Sequence, residues 1–164
     1  MRVGIIGTGT LGAAIAQGLR GHVGISAIQG TTRETAHRNH DMVRASTIVL
    51  LCVKPHDARA VLGEIAPALR EDHVLISTAA AISIATIRES AGPRARIVRV
   101  MPNTPAQVGA AMTVLARDES TCHLALECAD AIFSHLGRTL IMDESKMDAA
   151  TASHSEIARL TSER

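Results

Sequence analysis

Aromatic side chains are almost absent from this chain. Phe133 is the only one, with no Trp and no Tyr. Such a surface has no platform on which bases could stack. A charge of one sign is lacking too: 17 Lys and Arg stand against 16 Asp and Glu, a formal net charge of +1. That balance creates no field to gather nucleic acid or anionic lipid, so neither is expected as a partner. The longest apolar run, Ile48 to Val53, falls far short of the ~20 residues that span a bilayer. No basic, apolar leader precedes the first strand pattern, and the expected location is the cytoplasm. Three cysteines build no disulfide framework. Cys52 reads as a core residue, and Cys122 and Cys128 flank His123 without the close paired spacing of a zinc site. Eight histidines are scattered along the chain. Only His37 and His40 could share a helical face, and no carboxylate or thiol pattern completes a site there. No metal is expected.

What remains is apolar mass, 46% of 164 residues, enough for one domain with a real core. Short apolar runs alternate with helical patterns. Val3 to Ile6, Ser26 to Gln29, Thr47 to Val53, Val74 to Ser77 and Arg96 to Val100 read as strands, with Met112 to Leu115 and Thr139 to Met142 as two more. Leu11 to Leu19 reads as a helix. Asp57 to Leu69 carries Ala58, Val61, Leu62, Ile65 and Leu69 on one stripe. Ser83 is placed to cap a short helix. Leu124, Cys128, Ile132 and Leu136 mark another, with Gly137 as its C′ residue. Alternation of this kind predicts a parallel sheet with right-handed crossovers.

Gly7-Thr8-Gly9-Thr10-Leu11-Gly12 follows the first strand and opens the first helix, the context a dinucleotide-binding glycine loop requires. Gly7 permits the tight turn, Gly9 lets the backbone approach a pyrophosphate, and Gly12 lets the helix pack close. The helix N-terminus then offers N–H groups to the phosphates. The alternative is a glycine-rich turn without a ligand. An acidic residue after the second strand would bond the ribose 2′-hydroxyl of NAD. This chain has Thr31, Thr32 and Arg33 there, which suit a 2′-phosphate, so NADP(H) is expected over NAD(H). The alternative is a solvated Arg33, partly neutralised by Glu34. The interval from Gln29 to Thr47 has room for a turn and a small helix only. The fold class is therefore α/β, Rossmann-like and doubly wound, with a mainly parallel sheet and one βα element shortened after the second strand.

The segment Arg99 to Pro105, RVMPNTP, joins a strand pattern to two prolines. Proline fixes its own φ and steers the preceding residue toward extended backbone. Pro102 and Pro105 are thus expected to end the strand and hold Asn103 and Thr104 stiffly at its end. An ordinary proline turn is the alternative.

Taken together, VGIIGTGTLGAAIAQGL, CVKPHDARAVL, ISTAAAISIATI, RIVRVMPNTPAQVGAAMT and MDAATA run in the order seen in pyrroline-5-carboxylate reductases, and residues 1–152 resemble that family. The resemblance implies NAD(P)H-dependent reduction of 1-pyrroline-5-carboxylate to proline, the last step of proline biosynthesis. It implies that Val53, Lys54 and Pro55, Ala79 and Ala80, and Asn103 and Pro105 lie along the nicotinamide half of the cofactor. Asn39 would lie near the adenosine. It names no catalytic residue. Lys54 either approaches the substrate carboxylate or holds its turn.

Three departures stand out. The stretch after Arg33 is shorter than in the family by about a helix and a strand. Ala81 stands where the family has glycine; a positive φ there would cost roughly 1–2 kcal/mol. After Ala152 the family continues Ser-Gly-Ser-Gly-Pro-Ala-Tyr into an all-helical domain that supplies most of the imino-acid pocket, whereas Ser153 onward does not match. Residues 153–164 are expected to be a divergent tail, a route to a homodimer or partner contact. Met147 to Leu160 has some apolar helical character, which suits docking a partner or capping exposed apolar surface. A catalytically inactive NADP-binding or regulatory module is the competing function.

Overall fold

The computed structural model describes residues 1–103 and 111–147. Among these residues seven strands form one sheet: β1 (Arg2–Ile6), β2 (Ala27–Thr31), β3 (Ile48–Leu51), β4 (Val74–Ser77), β5 (Arg96–Asn103), β6 (Ala111–Arg117) and β7 (Gly137–Asp143), in the spatial order β2-β1-β3-β4-β5-β6-β7. The helices are α1 (Thr10–Gly18), α2 (Asn39–Ala45), α3 (Pro55–Ile65), α4 (Ile84–Ala91) and α5 (His123–Ser134). All pairings are parallel except β5 with β6.

The sheet is buried on both faces, which is why its central strands are continuous apolar runs rather than alternating ones. On one face Val49, Leu51, Leu75 and Ile97 pack with Val43, Leu62, Ile65 and Ile87 of α2, α3 and α4. On the other, Ile5, Leu50, Ile76 and Val98 pack with Ile15 and Leu19 and with Ala129, Ile132 and Phe133 of α5. The lone aromatic is thus fully buried. This is the expected doubly wound Rossmann-like architecture. From β2 the chain passes through a 3₁₀ turn at Ala36–Arg38 and the seven-residue α2 straight to β3, on the other side of β1. No strand intervenes, so among the described residues β2 forms the sheet edge. No helix among the described residues is long and apolar enough to cross a membrane.

Local chemistry sets the element ends. Pro55 occupies the first turn of α3, where its missing N–H costs nothing. Ser83 caps α4 as expected, its Oγ accepting from Thr86 N–H at 3.2 Å. Gly92, at φ 77°, ends that helix.

Four expectations are corrected. The Asp57–Leu69 helix begins earlier, at Pro55, and stops at Ile65, because Pro67 cannot extend it and Ala66–Ala68 tighten into a 3₁₀ turn. Pro102 does not end β5; the strand runs through it to Asn103, pairing with β6. Pairing with β4 stops at Arg99, so Pro102 lies where β5 has one strand neighbour only, a position that tolerates proline. The buried stripe of α5 is Ala125, Leu126, Ala129, Ile132 and Phe133, while Leu124 is half exposed. Small Ala125 and Ala129 let α5 sit close to the sheet and turn Leu124 outward. Gly137 is not the C′ residue either: it opens β7, two positions beyond the C-cap His135.

One buried imidazole links the fold to pH. His73 is fully buried. Arg70 N–H donates to its Nδ1 at 3.0 Å, so the proton sits on Nε2, which faces the Ser46 carbonyl at 3.2 Å. Burial, with help from the Arg70 guanidinium, holds its pKa below the usual 6.5. The unfolded chain therefore takes up a proton that the folded one refuses. Stability is fully present above pH 6.5 and falls as the pH drops below it, by at most about 1.4 kcal/mol per pH unit for one proton. Urea denaturation at pH 7.5 and 5.5 should show this loss, and His73→Gln should flatten it.

Candidate functional site

The parallel strands β1, β3, β4 and β5 present their carboxyl ends together. Strand order reverses at β1, which has β2 on one side and β3 on the other. In open α/β sheets the crevice outside the strand ends at such a reversal is where ligands bind. The glycine loop lies in it. Gly7 has φ 92°, and a Cβ there would lie 2.7 Å from the Cys52 carbonyl oxygen. A Cβ on Gly12 would lie 2.2 Å from the Gly7 carbonyl oxygen. These two glycines are thus required by packing alone. Gly9 differs: a Cβ there would meet nothing within 4 Å. The space over its backbone is open, and no side chain caps the N-terminus of α1, which begins at Thr10 and Leu11. An open, uncapped helix start above a glycine fits a phosphate group.

The loop is tied to β2. Gly7 and Thr8 N–H both donate to the Thr31 carbonyl, at 3.0 and 2.9 Å, and Thr8 Oγ1 reaches it at 3.3 Å. The side chain of Thr31 is buried and donates to Asn39 Oδ1 at 2.6 Å. Asn39 Nδ2 in turn donates to Glu64 Oε1 of α3 at 3.2 Å. Asn39, expected beside the adenosine, is 1% exposed and spends its amide on holding the end of β2. Thr32 and Arg33 are exposed. Thr32 is braced by Thr35, whose Oγ1 accepts from the Thr32 N–H at 2.8 Å. Arg33 is solvated but paired: its Nη2 meets Asp57 Oδ2 at 2.9 Å. Asp57, rather than the neighbouring Glu34, is the carboxylate that neutralises it. Between β2 and α2 lies a groove of about 400 Å³ lined by Gln29, Thr31, Arg38 and Asp41 among others.

On the other side of the crevice, Val53 packs beside Gly7, and Lys54 is the N-cap residue of α3 before Pro55. Lys54 is exposed and forms no ion pair among the described residues. Cys52 lies beneath the loop; burial pushes its thiol up to about 11, so it stays protonated and unreactive. After β4, Ala79 is buried in the core, whereas Ala80 is exposed. Ala81 has φ 59°, the one positive φ outside glycine among the described residues. Asn103 ends β5 opposite Met112. Thr104 and Pro105 lie outside the described residues, as does the tail from 148 onward.

Two contacts escaped the sequence. Arg99, within the apolar run of β5, is buried and meets Glu144 Oε1 at 3.2 Å. The same oxygen accepts from Ile84 N–H at 2.8 Å. Glu144 thereby joins the end of β7 to Arg99 of β5 and to the start of α4. An arginine inside a strand of Ile and Val was the available signal. The other is the Arg33–Asp57 pair, whose partners are 24 residues apart. Among the described residues no cluster of His, Cys, Asp and Glu suits a metal ion.

Comparison with known proteins adds three findings. Residues 2–81 match the family model described as NADP oxidoreductase coenzyme F420-dependent. Over 92% of its length the chain is 31% identical to pyrroline-5-carboxylate reductase 3 of Macaca fascicularis, and over 91% it is 32% identical to the pyrroline-5-carboxylate reductase of Pisum sativum. It spans 60% of each relative. The crystal structure of Plasmodium falciparum pyrroline carboxylate reductase with NADP bound superimposes with a TM-score of 0.80 at 27% identity, covering 98% of this chain and 65% of that one.

The left-handed Ala81 backbone is strained for an L side chain. Ala81→Gly should stabilise the protein by about 1 kcal/mol, the relief of strain exceeding the added flexibility of the unfolded chain. Denaturant midpoints of the two proteins would measure it.

Proposed function

We propose that this chain, which spans about 60% of the length of the pyrroline-5-carboxylate reductases it is similar to, corresponds to their cofactor domain, binds NADP(H) in preference to NAD(H) and serves as the cofactor half of a reduction of 1-pyrroline-5-carboxylate to proline. The observation that carries the reading is the open backbone at Gly9 above an uncapped helix, set at the strand-order reversal with Arg33 in place of an acid. The Plasmodium falciparum relative, crystallised with NADP, supports it.

In this reading the backbone from Gly7 to Gly12 holds the pyrophosphate, with Thr10 and Leu11 N–H groups turned toward it. Thr32 and Arg33 hold the 2′-phosphate. Asn39 acts at one remove, by fixing Thr31 and so the end of β2. Val53, Lys54 and Pro55, with Ala80, Asn103 and Pro105, form the wall for the nicotinamide, and Ala79 backs that wall from the core. When bound, the reduced nicotinamide supplies the hydride taken up by the C=N carbon of the imino acid. The protein's part is position and electrostatics. A protonated imine is already electrophilic, so no metal and no strong acid are required. Lys54, exposed at the strand ends, places a cation where a substrate carboxylate would lie; it also serves the turn as the residue before Pro55. A cytoplasmic location and a homodimer or partner contact through residues 153–164 belong to the same proposal.

The remaining 40% or so of the relatives' length matters here, because substrate positioning can account for about 7–11 kcal/mol of a barrier. Two measurements on the purified chain therefore go together. Titration with NADPH and NADH should show tighter NADPH binding; a tenfold preference for NADH would overturn the assignment. Mixing the protein with NADPH and pyrroline-5-carboxylate should oxidise the cofactor. Cofactor binding without turnover would instead identify an inactive or regulatory module, and no cofactor binding would remove both readings.

A further inference from the structure

Arg33 and Asp57 are unequal partners. Arg33 is 83% exposed on the segment after β2. Asp57 sits in the first turn of α3, its N–H donating to the Lys54 carbonyl at 3.0 Å, and a carboxylate is favoured there by the helix dipole. Its Oδ2 takes the Arg33 Nη2 at 2.9 Å and lies 3.5 Å from His56 Nε2. The backbone of Asp57 is thus fixed in a helix start, while the guanidinium rests on its carboxylate at the end of a long, solvated side chain.

We infer that Asp57 is a specificity-determining residue that competes with a 2′-phosphate for Arg33 and so tempers the preference for NADP(H) over NAD(H). The inference rests on the reading of Arg33 as the 2′-phosphate partner. The chemistry is direct. A phosphate monoester offers three acceptor oxygens and close to two negative charges, and takes a guanidinium with two parallel N–H bonds. Asp57 offers one carboxylate oxygen at that distance. An exposed ion pair is weak enough to be displaced. Only a ligand carrying the 2′-phosphate has to displace it, and only that ligand meets the like charge of Asp57. A ligand with a free 2′-hydroxyl leaves the pair intact. Asp57 therefore lowers affinity for one coenzyme class and not the other. The arrangement also explains how an arginine and an aspartate can stand together at a cofactor site without the aspartate acting as the ribose-binding acid: its carboxylate is turned to Arg33 and His56.

Binding of two small probes to the full chain tests this without turnover. Adenosine 2′,5′-bisphosphate and adenosine 5′-monophosphate are titrated by calorimetry at low ionic strength, where exposed charges act most strongly. Asp57→Asn should tighten the bisphosphate roughly three- to tenfold, the size expected for release of an exposed ion pair and a like charge. It should leave the monophosphate within about twofold, on the same ground. In the Arg33→Ala background the gain should largely vanish. Weaker bisphosphate binding by Asp57→Asn would mean that Asp57 aims Arg33 at the phosphate, and equal gains for both probes would mean a general charge effect; either overturns the inference. If the wild-type chain binds the bisphosphate more tightly than the monophosphate but Asp57→Asn changes nothing, the role of Asp57 fails and the cofactor reading stands. If the wild-type chain binds neither probe, both fail.

Discussion

Burial of β3 on both faces is the constraint on which the rest of this molecule depends. Ile48, Val49, Leu50 and Leu51 are each 2% exposed or less. A strand apolar on both sides is stable only with a helix layer on each, and parallel neighbours joined by crossovers are what supply those layers. Once α1 and α5 cover one face and α2, α3 and α4 the other, the carboxyl ends of β1, β3, β4 and β5 point the same way. The loops that follow them are thereby collected at one edge. The candidate site is a by-product of that packing.

Close approach then shapes the site. Gly7 lies against the end of β3 and Gly12 against the carbonyl of Gly7, so α1 starts nearly in contact with the sheet. Two N–H groups of the loop are spent on Thr31. Those of the helix start are not spent on any capping side chain. Division of the backbone donors in this way holds the loop rigidly while keeping its outer side available. The short route from β2 to β3 has a related effect. With no further strand beyond β2 among the described residues, the end of that strand is supported by the buried Asn39, which is itself held by the exposed Glu64.

Much of this was legible in the residues. β4 lies where its apolar run places it, and the glycine loop, the Ser83 cap and the absent strand after β2 follow from local rules of sterics, capping and length. The strained Ala81 was also foreseeable, once glycine was expected at that position. Errors arose where a neighbour overrode the local rule. Pro102 stays within β5 because β6 pairs with it from one side, and α5 turns a different face inward because Ala125 and Ala129 fit the sheet more closely than Leu124.

By itself, then, the sequence determined the class of fold, the order of its elements and the location of the glycine loop, because apolar period, glycine and proline act through the nearest few residues. Only the tertiary structure decided what the polar residues do. Arg33 with Asp57, Asn39 with Glu64 and Arg99 with Glu144 are separated by 24, 25 and 45 positions along the chain. No local pattern pairs polar groups at such distances. Their partners are chosen by which strand ends and helix starts the packed sheet brings within hydrogen-bond reach.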